Sequence, residues 1–117
     1  MDYDENYDFE EFQHYEVPRL KIDSMINGDD FELLLATHDD EFYRRIVEFC
    51  IGKLEGTIQH ETLAIVIDED DEEFQLELPS EGYIKSLTRA NEFFINIEEY
   101  ETCDLIKQLI TTLENEL

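Results

Sequence analysis

Two neighbouring hydrophobic segments, residues 63–67 and 74–78, have patterns typical of β-strands and together predict a hairpin. Residues 63–67 are a continuous apolar run rich in β-branched side chains, typical of a strand covered on both faces, although a short buried helix fits the same run. Strict alternation follows, which places Phe74, Leu76 and Leu78 on one face. Pro79 ends this second strand because proline cannot donate a hydrogen bond to a neighbouring strand.

Helical periodicity precedes the predicted hairpin. Asp29 and Asp30 can cap a short helix over residues 31–35, since their carboxylates accept the free N–H groups of a first turn. Thr37 can cap a longer helix that stops at Gly56. Its apolar positions share one face and are Phe42, Ile46, Phe49, Cys50 and Leu54. Residues 16–22 form a weaker strand candidate, which Pro18 makes an edge strand or a bulge.

Two amphipathic helices follow the hairpin and predict an antiparallel αα-hairpin. Ser80 can cap the first, which runs to about Ile95 and places Tyr83, Ile84, Leu87, Ala90, Phe93 and Phe94 on its apolar face. Asn96 can end this helix and cap the next, with Glu99 at the capping-box position. The apolar positions of the last helix are Tyr100, Cys103, Ile106, Ile110 and Leu113.

Residues 89–113 resemble the UVR helical-hairpin interaction motif. The likeness consists of an alanine in the first helix, the pair Tyr100-Glu101 at the start of the second, and the step Leu105-Ile106-Lys107. Cys103 and Asp104 replace the motif's usual paired small residues, and Gln108 stands where an acid is expected. We interpret the likeness as a shared way of packing two helices, and it implies a protein-binding hairpin without catalysis.

These elements predict an α+β fold, with a small β-hairpin or three-stranded antiparallel sheet packed against about four helices. At 117 residues the chain is most simply one domain over residues 17–117, preceded by an acidic, aromatic segment over residues 1–16. Two interpretations of this segment stay open: its rings dock on the core while its acids are solvated, or rings and carboxylates together engage a basic partner. A hydrophobic content of 42% argues for a folded protein. No apolar run approaches about 18 residues and no basic-then-apolar leader opens the chain, so we expect a cytoplasmic protein.

The charge balance separates this chain from ordinary small domains. There are 32 acidic residues against 8 Lys and Arg, for a net charge of −24. Self-repulsion at this level destabilises a compact state, so the charge requires a cause beyond solubility. Direct binding to nucleic acid or to an anionic membrane is disfavoured, and a basic nucleic-acid-binding protein or nuclease is the expected partner.

Three acidic groups are the candidate contact surface. The first is the run between the predicted strands, which we expect to form an open, mobile loop because like charges repel. The second is the N-terminal segment, whose aromatic residues can anchor an interface while its carboxylates accept Arg contacts. The third opens the last helix. Their members are Asp68, Glu69, Asp70, Asp71, Glu72 and Glu73; Asp2, Asp4, Glu5, Asp8, Glu10 and Glu11; and Glu98, Glu99 and Glu101.

Sequence patterns for metal binding and catalysis are missing. An EF-hand loop from Asp68 requires Gly at its sixth position and Glu at its twelfth, where Glu73 and Pro79 stand. The three His residues match no zinc spacing, and no GxSxG or Gly-rich phosphate loop occurs. Cys50 and Cys103 fall in apolar helical patterns and are expected to be buried thiols. We therefore expect no enzyme, no metal and no cofactor.

Charge and size resemble those of phage-encoded DNA-mimic and anti-defence proteins, including anti-restriction and some anti-CRISPR proteins. That likeness implies an inhibitor that presents carboxylates where its target expects phosphates. One alternative is an immunity protein that neutralises a cognate nuclease toxin through one tight interface with aromatic anchors. Another is an acidic assembly subunit, such as a homodimer formed through the C-terminal helices.

Overall fold

A three-stranded mixed sheet forms one layer of the fold in this computed structural model, which describes residues 16–22 and 30–116 and, over 30–37, the backbone alone. The strands are β1 (Arg19–Lys21), β2 (Thr62–Ile67) and β3 (Glu73–Glu77), in the order β1-β2-β3. The β2–β3 pair is antiparallel and confirms the predicted hairpin. β1 pairs with β2 in parallel, so the prediction of a purely antiparallel sheet is wrong.

The parallel pairing follows from what lies between the two strands. Antiparallel neighbours can be joined by a tight turn, whereas parallel neighbours need a long crossover that is usually helical. Here the crossover contains helix α1 (Asp30–Glu55), which returns the chain to the starting edge of the sheet. As a result, the ends of β1 and β2 lie at the same edge, with Lys21 opposite Ile67.

Three helices complete the described fold: α1, α2 (Tyr83–Asn96) and α3 (Tyr100–Glu116), with a single 3₁₀ turn at Ser80–Gly82 before α2. The two helices predicted before the hairpin are one element with a break at His38, whose backbone angles are φ −132° and ψ 37°. Counted as one helix with two segments, α1 makes three helices in the described part, against the predicted count of about four. α2 and α3 form the predicted helical hairpin.

The core is built around α1, which packs against both α2 and β2. Its predicted apolar stripe is confirmed, but Val47 and Ile51 are buried too, so this helix is covered on more than one face. Tyr43 stacks on Phe93 at 5.0 Å between ring centres, and Phe49 meets Tyr83 edge-on at 6.1 Å. These contacts show that α1 and α2 run in opposite directions.

One ion pair is buried within this core. Arg45 Nη1 donates to Glu48 Oε1 at 2.7 Å, and Arg45 Nε donates to the Leu63 carbonyl at 2.6 Å. Burial lowers the pKa of Arg45, and the Glu48 carboxylate opposes this effect. The two charges therefore join α1 to β2 and are unavailable to a partner.

Glycines define how α1 ends. A Cβ atom on Gly52 would lie 2.5 Å from Ile58 Cδ1, so a side chain there would collide with the residue that closes this end of the core. Gly56 has φ +83°, the left-handed conformation expected of a glycine that stops a helix. The predicted stop at Gly56 is confirmed.

Some predicted core positions are exposed instead. Phe74 in β3 has 43% of its surface exposed, and Tyr100 has 60% exposed where it opens α3 at the link from α2. Both cysteines are buried free thiols, as predicted, and burial raises the pKa of Cys50 to about 12. None of the described helices has the length and apolar character needed to cross a membrane.

Candidate acidic interaction surface

The acidic run between β2 and β3 is a closed turn organised by one carboxylate. Asp68 Oδ1 accepts hydrogen bonds from the backbone N–H groups of Asp70 and Glu72, both at 2.9 Å. The backbone adds bonds from Asp68 N to Glu72 O and from Asp71 N to Asp68 O, both at 3.0 Å. Asp68 is only 8% exposed. The predicted open loop is therefore wrong, because an aspartate can satisfy the turn's own N–H groups.

The remaining acids of the turn face outward. Glu69, Asp70, Asp71 and Glu72 are exposed, and Asp71 has a left-handed backbone with φ 64°. Lys21 Nζ lies 3.7 Å from Asp71 Oδ1, but both side chains are well exposed, so the pair adds little stability. Glu73 belongs to β3 and pairs with Arg19 across the sheet.

The link between α2 and α3 is held by Glu99. Arg44 donates to both of its carboxylate oxygens, from Nη1 at 2.9 Å and from Nη2 at 2.5 Å, and the Thr102 hydroxyl donates to Oε2. These hydrogen bonds from Arg44 lower the pKa of Glu99. α2 ends at Asn96, as predicted, but Glu99 is the residue that immediately precedes α3, so the capping box predicted to start at Asn96 is misplaced by three residues.

The other two acids predicted at this link are exposed. Glu98 has φ 63°, a left-handed conformation in which glycine is the usual residue, and its N–H donates to the Ile95 carbonyl at 3.0 Å. Glu101 lies in the first turn of α3, where a negative charge is stabilised by the free N–H groups of the helix.

His38, at the break in α1, connects the second segment of this helix to the edge of the sheet. Its Nε2 lies 2.5 Å from the Lys21 carbonyl oxygen, and its Nδ1 lies 2.8 Å from Glu41 Oε1. Both partners are acceptors, so both ring nitrogens can donate only when the imidazole is protonated. The bond to the Lys21 carbonyl is the main cause that raises the pKa of His38, with Glu41 contributing against the effect of burial.

These contacts place three acidic segments at one end of the molecule. Lys21 touches both Asp71 and His38, while Arg44 joins Asp40 (Nε to Oδ2, 2.9 Å) to Glu99. We call the exposed acids of these segments the acidic end; they are Asp39, Asp40, Glu41, Glu69, Asp70, Asp71, Glu72, Glu98 and Glu101. The structure thus brings together two of the three predicted groups.

The three acids that follow the break in α1, Asp39, Asp40 and Glu41, belong to none of the predicted acidic groups. A strand–helix–strand order was the available signal, because a parallel crossover places the start of the helix at the ends of both strands. The third predicted group, the acids of residues 2–11, lies outside the described residues and stays a prediction.

The protein's own cations neutralise only a small part of its charge. All eight Lys and Arg residues belong to the described part, and the resolved pairs there involve Arg19, Lys21, Arg44 and Arg45. Arg45 and Glu48 are in the core, and Arg44 fixes the helical link. Within the described residues, no group of three His, Cys, Asp or Glu side chains is arranged to hold a metal ion.

Comparison with known proteins gives no family for this chain. No family model, no curated protein and no solved structure matches it. The resemblance of α2 and α3 to the UVR motif is therefore limited to the packing of two antiparallel helices.

Proposed function

We propose that this protein is an acidic inhibitor that binds a basic nucleic-acid-binding protein or nuclease by presenting carboxylates in place of phosphates. The observation that carries the proposal is the acidic end, where exposed carboxylates from the turn, from the segment after the break in α1 and from the helical link lie at the same end of the fold. Lys and Arg side chains of a partner would form charge-assisted hydrogen bonds with these carboxylates as they do with phosphates. Counterions released from the partner's basic surface would favour the complex.

The geometry narrows the set of contact residues within this proposal. Asp68 and Glu99 have their carboxylates engaged by the protein's own N–H groups and by Arg44, so their role is to shape the surface. Glu73 shares its charge with Arg19. The contacts are then assigned first to Glu69, Asp70, Glu72 and Glu98. Asp71, Asp40 and Glu41 share their charge with Lys21, Arg44 and His38 and lie beside these contacts, together with Asp39 and Glu101. The N-terminal acids, the anti-defence class and the cytoplasmic location remain parts of the proposal.

A second candidate is an immunity protein for a cognate nuclease. One observation favours it: exposed apolar side chains at the helical link lie among the acids of the acidic end. Such a protein would use a compact interface with apolar anchors and would bind its target with less dependence on salt.

Capture of partners from a host lysate tests the proposal. The tagged protein is incubated at about 50 mM and about 500 mM NaCl, a range over which surface charges become strongly screened. We expect a basic nucleic-acid-binding protein that is retained at low salt, lost at high salt and displaced by duplex DNA. Recovery of only neutral or acidic proteins, retained equally at both salt concentrations, would contradict phosphate replacement.

A further inference from the structure

Exposed apolar side chains concentrate at the link between α2 and α3. Four large hydrophobic residues are exposed in the described chain, and three of them, Ile95, Ile97 and Tyr100, fall within six residues of one another. Their exposed fractions are 43%, 46% and 60%. We call these three residues the apolar tip. Such a cluster on a small protein indicates a contact site more often than isolated exposed residues do.

The apolar tip is presented on a fixed backbone. The Ile97 N–H donates to the Phe93 carbonyl at 3.2 Å, and the Glu99 N–H donates to the Phe94 carbonyl at 2.9 Å. The two-point contact between Glu99 and Arg44 then fastens the link to α1. Little conformational freedom would be lost when the tip docks, which favours binding.

Charge determines what can cover the apolar tip. Exposed acids flank it at Glu92, Glu98, Glu101 and Asp104. A second copy of this chain, at −24, would bring the same acids into contact and be repelled. The N-terminal segment, with six acids among residues 2–11 and no base, would be repelled likewise. An apolar patch with an anionic border is complementary to an apolar patch with a cationic border.

We propose that the apolar tip inserts into an apolar patch bordered by Lys and Arg on the partner protein, and so selects that partner among basic proteins. This inference rests on the proposed function and adds the feature that determines which basic protein is bound. Carboxylates of the acidic end supply attraction to any basic surface, whereas Ile97 and Tyr100 supply anchors that only an amphipathic basic surface can accommodate.

Two cationic peptides serve as probes. The first has about 14 residues with Leu at helical spacing among Lys, and the second has Ser in place of every Leu. Affinity for each is measured by fluorescence anisotropy at low salt. The variants are wild type, Ile97→Ser with Tyr100→Ser, and Phe74→Ser, which removes an exposed apolar residue on β3 as a matched control. Circular dichroism melting verifies that all three fold.

We expect wild type and Phe74→Ser to prefer the Leu peptide by at least about tenfold, which corresponds to the loss of one strong anchor. The double variant should lose this preference while binding the Ser peptide as wild type does. Equal binding of both peptides by wild type, or a preference that survives in the double variant, would overturn the inference and leave the proposed function standing. If neither peptide binds wild type, the proposed function fails as well.

Discussion

The hairpin turn and the helical link share one arrangement, although the first joins two strands and the second joins two helices. In each, an acidic stretch reverses the chain, one carboxylate turns inward, and a neighbouring acid adopts a left-handed backbone. In the turn these residues are Asp68 and Asp71, and in the link they are Glu99 and Glu98. They differ in what the inward carboxylate binds: Asp68 accepts local backbone N–H groups, whereas Glu99 accepts a distant arginine.

This difference shows that the acids of a charged run are not equivalent. A local partner makes the turn self-contained, so its shape depends on a few adjacent residues. A partner 55 positions away makes the link depend on the packing of α1 against the C-terminal helices. Asp68 and Glu99 have their carboxylates turned inward, so the exposed acids beside them in the turn and the link carry the charge that a partner could contact. The following variants test how far the two regions differ.

Removal of the Glu99 carboxylate should have the largest effect. Glu99→Ala would leave Arg44 half-buried without its two-point partner, and we expect a loss of about 2–3 kcal/mol in the free energy of unfolding. Urea denaturation monitored by circular dichroism measures it. Glu98→Ala, the adjacent exposed acid, is the matched control and should change stability far less. Equal losses from both would mean that Glu99 does not fasten the link.

The same pair of variants predicts a pH dependence. Because the pKa of Glu99 is lowered in the folded state, its stabilisation is present above the ordinary value of 4.5 and is lost as the pH falls through the folded-state value. The stability difference between wild type and Glu99→Ala should therefore shrink on acidification. A difference that stays constant down to strongly acidic pH would exclude this role for the ionised carboxylate.

Removal of the Asp68 carboxylate should cause the second largest loss of stability. Asp68→Ala removes the acceptor of two backbone N–H groups, and we expect a loss of about 1–2 kcal/mol. Asp68→Asn keeps a side-chain oxygen that can accept them and should retain most of the stability. Thermal melting of both variants beside Glu69→Ala provides the comparison. Equal losses in Asp68→Asn and Asp68→Ala would show that the charge of Asp68, and not its acceptor geometry, shapes the turn.

His38 should contribute a smaller effect of the opposite pH sign. Its pKa is raised in the folded state, so its stabilisation is fully present below the ordinary value of 6.5 and is lost as the pH rises through the raised value. At acidic pH we expect the free energy of unfolding of wild type to exceed that of His38→Gln by about 1 kcal/mol, because the imidazolium makes two hydrogen bonds. Melting temperatures of both proteins between mildly acidic and mildly alkaline pH measure this. A difference that grows toward alkaline pH would contradict the assignment.

The left-handed acids should give the smallest change, and it should be a gain. Glu98→Gly would relieve an unfavourable backbone conformation and stabilise the fold by about 0.5–1 kcal/mol. Asp71→Gly should gain less, because aspartate tolerates this conformation better than glutamate does. Differential scanning calorimetry measures the melting temperatures of the two variants and of wild type, and so gives the order of the two gains. Destabilisation by Glu98→Gly would show that its side chain makes a contact that outweighs the strain.

Local patterns predicted the parts of the fold that depend on local forces. The apolar spacing from Phe42 to Leu54 marks a helix face, Gly56 stops it, and the β2–β3 hairpin follows from a change of period. The parallel pairing of β1 escaped prediction because three residues beside Pro18 carry little pattern, and their neighbour in the sheet lies more than 40 positions away. Tyr100 occupies an apolar helical position, yet 60% of its surface is exposed where it opens α3.

The candidate site could be predicted only in part, for a related reason. The sequence indicates which segments are acidic, and the turn and the link are both found at the acidic end. It cannot indicate that Asp68 faces inward while Glu69 faces solvent, because both are acids in one uninterrupted run. Tertiary contacts make that distinction, as Arg44 does for Glu99.

The proposed function requires that the position of the carboxylates, and not total charge alone, determines binding. The decisive measurement is partner capture with two variants that each remove four exposed negative charges. One changes the acidic end by Glu69→Gln, Asp70→Asn, Glu72→Gln and Glu98→Gln. The control changes exposed acids away from that end by Glu61→Gln, Glu77→Gln, Glu81→Gln and Glu114→Gln.

Three of these control residues lie where β2 begins, β3 ends and α2 is entered. We expect the acidic-end variant to recover at least about tenfold less of the DNA-displaced partner than wild type does, which is the effect of losing several charge-assisted contacts. The control should recover nearly as much as wild type. Equal recovery with both variants, whether reduced or unchanged, would contradict a partner surface at the acidic end.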